Sequence, residues 1–340
     1  MTVSAAGPSQ GANYSPSGGS AVAPAASVGA QIDSAAIPGM SERPARASGS
    51  GTRIKWRRTL RPWFFLAPAL ALLGVFTFWP VLWGGYLAFT EYNFLTPPRW
   101  VGLANFEDLL QDPVFFISMK NSLLYLLIVP AIQLGAIVLA VLVNNSLPGI
   151  KIFRAAFYTP VVTSVSVVGI MWGWMYNEQG LINAVLRSLR MIDDPVGWLS
   201  DDRLAIFSVM VVTLWRGLGW YMVLYLAALQ AIPKDLEEAA ALDGANRWQR
   251  FWRITIPMIM PTILLCTVLS TLSAIKVLEE ILIMTKGGPV SSTYTGLYYA
   301  YDQGIRAFNF PRALASSLVV SAFCIALAWV NFRFIRPRHR

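Results

Sequence analysis

The sequence predicts an all-α integral membrane protein, with six transmembrane helices behind a disordered N-terminal tail. Three observations carry that reading. Of the 340 residues, 55% are hydrophobic and 13% charged, which reverses the balance that keeps a soluble domain dissolved. The mean hydropathy is +0.52, and 13 Trp with 18 Phe suit a chain whose main solvent is lipid. Nearly uncharged stretches of about 20 residues or more recur along the chain, each long enough to cross the hydrocarbon.

Residues 1–52 are rich in Ala, Ser, Gly and Pro and hold no apolar run that could offset chain entropy, so a disordered cytoplasmic tail is expected. No apolar segment there ends in a small-residue cleavage site, so no cleaved signal is expected and the first span does the targeting. The basic cluster Arg53-Ile-Lys-Trp-Arg-Arg58 opens a membrane domain over 53–340. Its predicted spans are 62–89, 121–143, 153–176, 204–230, 257–284 and 313–334. Pro68, Pro80, Pro130 and Pro160 predict kinks, which neighbouring helices and hydroxyls can accommodate.

Six spans place both termini on one side. Lys and Arg concentrate at the tail edge, around Lys151 and Arg154, around Lys234, Arg247, Arg250 and Arg253, and at the C-terminus. Fewer lie in the alternate loops, which include Arg99, Arg187 and Arg306. The positive-inside rule therefore assigns both termini to the cytoplasm. Orientation explains the cluster at 53–58 better than specific binding of anionic lipid does. It also accounts for the net charge of +9, so no nucleic-acid partner is expected.

Cys266 and Cys324 lie in apolar stretches and the one His is His339, which excludes a disulfide scaffold or a His/Cys metal site. No Gly-x-x-x-x-Gly-Lys-Ser/Thr occurs, so nothing in the chain is built to cradle ATP phosphates. No bound cofactor or catalytic residue is expected.

Ionisable residues at depth are costly and are candidates for function. Arg216 lies in the middle of the fourth span, flanked by Trp215 and Trp220, whose flat faces suit sugar rings. The competing reading satisfies Arg216 with carbonyls freed at a helix interruption near Gly217 and Gly219, and assigns the indoles to packing. Lys276, Glu279 and Glu280 fall in the outer part of the fifth span, where the i,i+4 spacing of Lys276 and Glu280 predicts an ion pair. Asn121, Gln133, Ser164 and Ser166 either add polar lining or join helices.

The connection between spans four and five, 233–256, predicts a helical elbow. Pro233 and the early acids Asp235, Glu237 and Glu238 start a helix, Gly244 stops it with a left-handed turn, and Asn246 caps a second helix running toward Pro257. The small residues Ala239, Ala240 and Ala241 suit a plug seated in a protein groove, while the aromatics of the second helix also suit lipid headgroups.

Glu238-Ala239-Ala240, Gly244 and Ile254-Thr255-Ile256-Pro257 resemble the cytoplasmic motif of ABC importer permeases: Glu-Ala-Ala, three residues, Gly, nine residues, Ile-x-Leu-Pro. Ile256 in place of Leu is the one departure. Residues 227–233, Asp243-Gly244-Ala245 and Lys286-Gly287-Gly288-Pro289 resemble the carbohydrate-uptake subfamily of maltose and glycerol-phosphate importers, on the maltose-F-type side of the pair. Leu278-Glu279-Glu280 stands where that subfamily often has an aromatic followed by an acid.

The resemblance spans about residues 60–335 and implies a type I ABC importer fold and a sugar-like solute. It also implies a second permease subunit, two ATPase subunits that hold ATP and Mg, and an extracytoplasmic binding protein. It assigns ATPase coupling to Glu238, Ala239, Ala240, Asp243, Gly244, Ala245, Ile254 and Pro257. The rival readings are a proton-coupled secondary transporter, with Lys276, Glu279 and Glu280 as a relay, and a non-transporting scaffold. Six spans without an internal repeat weigh against the first, and Arg216 at mid-depth against the second.

Overall fold

The computed structural model describes residues 56–144 and 148–334; the predicted tail 1–52 and the start of the basic cluster, Arg53 and Lys55, lie outside them. Among the described residues the regular structure is helical apart from one ribbon, in which β1 (Thr90–Glu91) pairs antiparallel with β2 (Arg99–Trp100). The first crossing joins α1 (Trp56–Leu73) to α2 (Trp79–Leu87) through one wide π turn, Gly74–Phe78. After the ribbon come α3 (Ala104–Leu110), α4 (Pro113–Leu124), a 3₁₀ turn at Tyr125–Leu127 and α5 (Ile128–Val143). Asp112 caps α4 by accepting from the Val114 amide at 2.8 Å.

The third crossing departs from expectation. Instead of one helix over 153–176, α6 (Ile150–Val162) and α7 (Val165–Met175) meet at 101°. Pro160 lacks the amide that would continue the ladder, and Thr163 and Ser164 then turn extended, with ψ near 137 and 138. Thr159 and Thr163 donate their hydroxyls to the Ala155 and Thr159 carbonyls, holding the last turns of α6 together. The described residues thus hold five long apolar crossings, or six with this bent pair taken as one.

The chain continues through α8 (Leu181–Ser188) to α9 (Ala205–Gln230), an unbroken 26-residue crossing. The elbow holds α10 (Lys234–Leu242) and α11 (Arg247–Arg250), and a second π turn, Phe251–Thr255, leads into α12 (Ile256–Ile275). Pro80 and Pro257 each stand second in the helix that follows a π turn, so wide turns absorb the missing amides. The fifth crossing breaks after α12 and resumes as α13 (Glu279–Met284). Then follow α14 (Gly296–Tyr301), a π turn at Asp302–Arg306, and α15 (Phe310–Phe334).

The core forms where α5, α9 and α12 meet. Ala136 and Ala140 on α5 are fully buried and let α9 approach, with Met222 and Tyr225 filling the seam against Ile259 and Cys266. Lipid gives helices no hydrophobic reason to associate, so polar contacts matter here. The Gln133 amide donates to the Cys266 carbonyl (3.2 Å) and to Ser270 Oγ (2.7 Å) and accepts from the Tyr225 hydroxyl, joining three helices through one side chain. A Cβ on Gly219 would collide with the Phe157 carbonyl, so glycine lets α9 cross α6 backbone against backbone.

At the end of the bundle away from the elbow, Asp112 also accepts from the Tyr299 hydroxyl (2.6 Å) and the Arg312 guanidinium (2.8 Å), tying α4, α14 and α15. Burial and then the Asp112 bond push the Tyr299 phenol above its ordinary range, so it remains a donor.

Candidate functional site

A cavity of about 610 Å³ opens between α9 and α12 at mid-crossing. Its position follows from the break in the fifth crossing. Lys276 leaves helical geometry (φ −90, ψ 20), Leu278 lies at φ −138, and the Thr295 hydroxyl donates to the freed Val277 carbonyl at 2.7 Å. Irregular backbone at this depth is tolerable because protein satisfies it beside a cavity.

The break overturns the predicted Lys276–Glu280 pair, because i,i+4 neighbours face one another only along a continuous helix. Glu280 instead accepts from Arg216 at 2.9 Å, with the two side chains 10% and 23% exposed. It also replaces the expected helix interruption at Gly217 and Gly219, since α9 runs through both without a break. The Arg216 Nε is buried with no hydrogen-bond partner. Arg216, Trp220, Lys276, Glu279 and Glu280 all line the cavity. Trp215 lies outside its lining and packs edge-on against Trp172 at 5.6 Å, beside Tyr176 and Val212.

Sequence reasoning missed four further polar lining residues, Thr213, Tyr221, Ser270 and Ser273. Helical period could have found three of them. Thr213, Arg216 and Trp220 recur at i, i+3 and i+7 on one face of α9, and Ser270 and Ser273 are three apart on α12, whereas Trp215 falls off the α9 face. Gln133 joins helices, and the Asn121 amide donates to the carbonyls of Ser292 (2.7 Å) and Tyr294 (2.8 Å), so neither lines the cavity. Ser164 and Ser166 are exposed at the bend of the third crossing. The cavity presents hydroxyls, an indole and charges of both signs inside otherwise apolar walls, a surface able to hydrogen-bond a polyhydroxylated solute.

The elbow lies at the opposite ends of the same two helices. Pro233 caps α10, one residue earlier than its expected place in the first turn. Gly244 (φ +82) closes α10 in a Schellman turn, in which the Ala245 amide donates to Ala240 (2.9 Å) and the Gly244 amide to Ala241 (3.1 Å). Asn246 and Gln249 then form a reciprocal capping box that starts α11. Arg250 braces the two helices by donating to the Glu237 carbonyl at 3.3 Å. Glu238, Ala239, Asp243 and Gly244 are exposed, Ala240, Ala245 and Ile254 half-buried, and Pro257 exposed at the start of α12. Leu242 projects with 90% of its surface free, a costly position for leucine in water.

Among the described residues no group of His, Cys, Asp and Glu could hold a metal ion.

Residues 126–338 match the family model of the binding-protein-dependent transport system inner membrane component. The lactose transport system permease protein LacF of Rhizobium radiobacter is 33% identical over 86% of this chain and 99% of its own. The sn-glycerol-3-phosphate transport system permease protein UgpA of Brucella suis biovar 1 is 32% identical over 84% of this chain and 98% of its own. A solved bacterial ABC transporter involved in the import of the acidic polysaccharide alginate shares the fold, with a TM-score of 0.72 at 24% identity over 84% of this chain and 99% of that one.

Proposed function

The chain belongs to the binding-protein-dependent transport system inner membrane components, and from that premise we propose that it forms half of the path by which an ATP-driven importer passes a sugar or sugar-like solute. It is a multi-pass membrane protein and the permease component, not the ATPase. In this reading a second permease subunit completes the path, ATPase subunits hold ATP and Mg against the elbow, and an extracytoplasmic binding protein delivers the solute. Both termini and the elbow then face the cytoplasm, a placement that the distribution of Lys and Arg supports.

One observation carries the reading: α9 and α12, which wall the cavity, are the two helices that the elbow joins. A push on α10 reaches the cavity walls through a capped, braced turn and two helices, without crossing a flexible linker. ATP-driven closure of the partner would thereby rock both walls together and expose the cavity to each side in turn. The family names of its relatives, which serve lactose and glycerol 3-phosphate, support a small hydroxylated solute.

The test is uptake into sealed vesicles holding the assembled complex and its binding protein. Uptake is expected to need ATP and to survive collapse of the proton gradient. Uptake driven by a proton gradient without ATP would refute the proposal.

A further inference from the structure

Family membership leaves the charge of the solute open, since the named relatives serve a neutral sugar and a phosphate ester. We infer that the cavity selects a neutral polyhydroxylated solute over an anionic one, and that Glu280 is the specificity-determining residue because it neutralises Arg216. This rests on the cavity being the solute site.

The argument is one of charge balance. The cavity is lined by two cations, Arg216 and Lys276, and two carboxyl groups, Glu279 and Glu280. Arg216 has the bidentate fork suited to a phosphate or carboxylate, but its nearest fork nitrogen is already committed to Glu280 at 2.9 Å. An entering anion would have to displace a carboxylate that is itself 10% exposed, and would then leave that carboxylate buried and unpaired. A neutral solute meets no such cost. Its hydroxyls find Thr213, Ser273 and Tyr221, and its ring finds the half-exposed indole of Trp220. The buried Nε of Arg216 has no partner in the protein, so the guanidinium keeps an unspent donor beside its bond to Glu280.

The experiment uses the assembled importer in nanodiscs of neutral lipid with the binding protein omitted, so that its own selection drops out. Isothermal titration compares two probes that differ by one carboxylate, glucose and glucuronate. The wild type is expected to favour glucose. Glu280→Gln is expected to move the ratio about tenfold toward glucuronate, because Arg216 then stands unbalanced, while Glu280→Asp keeps the wild-type ratio. Arg216→Gln is expected to move the ratio the other way. Misfolding weakens both probes together and cannot produce opposite signs. A wild-type preference for glucuronate, or a ratio that neither variant moves, overturns the inference and leaves the cavity as the solute site. Probe binding that Trp220→Ala leaves unchanged overturns the site reading itself.

Discussion

Arg216 and Glu280 show how much one ion pair decides when water is scarce. The pair links the middle of a continuous helix to the first turn of a broken one, and removing either partner strands the other. Arg216→Ala is expected to destabilise the protein by about 3 kcal/mol, read as a lowered thermal midpoint in detergent, whereas Arg216→Met with Glu280→Met recovers most of that loss. Solute-stimulated ATPase activity of the assembled complex should also change with Arg216→Ala. Gly219→Ala places a methyl group against the Phe157 carbonyl, and a loss of about 1–3 kcal/mol is expected by the same melting assay. At this scale the sequence marks Arg216 as exceptional through its depth alone. It hides the partner, because Glu280 lies 64 positions away and a nearer cation, Lys276, sits at helical spacing. Trp215 misleads for a similar reason: adjacency in sequence is a turn of about 100° around a helix, enough to face another neighbour.

Among the elements, the elbow is the most legible. Proline, glycine and asparagine act on their own backbone, so Pro233, Gly244 and Asn246 announce the start, stop and restart without help from tertiary contacts. Gly244→Ala forces a side chain into left-handed geometry at about 1 kcal/mol or more. Gly244→Ala and Glu238→Lys are both expected to weaken co-purification with the ATPase while membrane insertion, followed by fractionation, stays intact. Unchanged co-purification of both would sink the coupling role. The breaks in the third and fifth crossings are less legible, because composition shows only that a segment is apolar. What ends α12 is the Thr295 hydroxyl on the Val277 carbonyl and the packing of α13 on α7, contacts between segments far apart in the chain. The second and sixth crossings begin earlier than expected, at Pro113 and Phe310, since their charged residues Lys120 and Arg312 read as loop. Arg312 is in fact neutralised by Asp112.

For the whole molecule, apolar length predicts the crossings and basic residues predict their direction, and the direction has its own test. Cys266 and Cys324 are buried, so Asp243→Cys supplies an accessible thiol on the elbow. A membrane-impermeant maleimide is expected to label it in inside-out vesicles and to miss it in right-side-out ones. The architecture is legible because lipid enforces it, whereas the cavity depends on which helices break and meet. The first crossing, Phe65–Leu87, stands apart: none of its most apolar window is buried within the chain, and Phe65, Phe76, Trp79 and Leu82 turn outward. Leu87 at its end is buried, but most of its side chains answer to the surroundings. Mutation can retune those outward residues to a different bilayer thickness or a different neighbour while the cavity between α9 and α12 keeps its shape, so the fit to the membrane and the cavity walls are free to evolve separately.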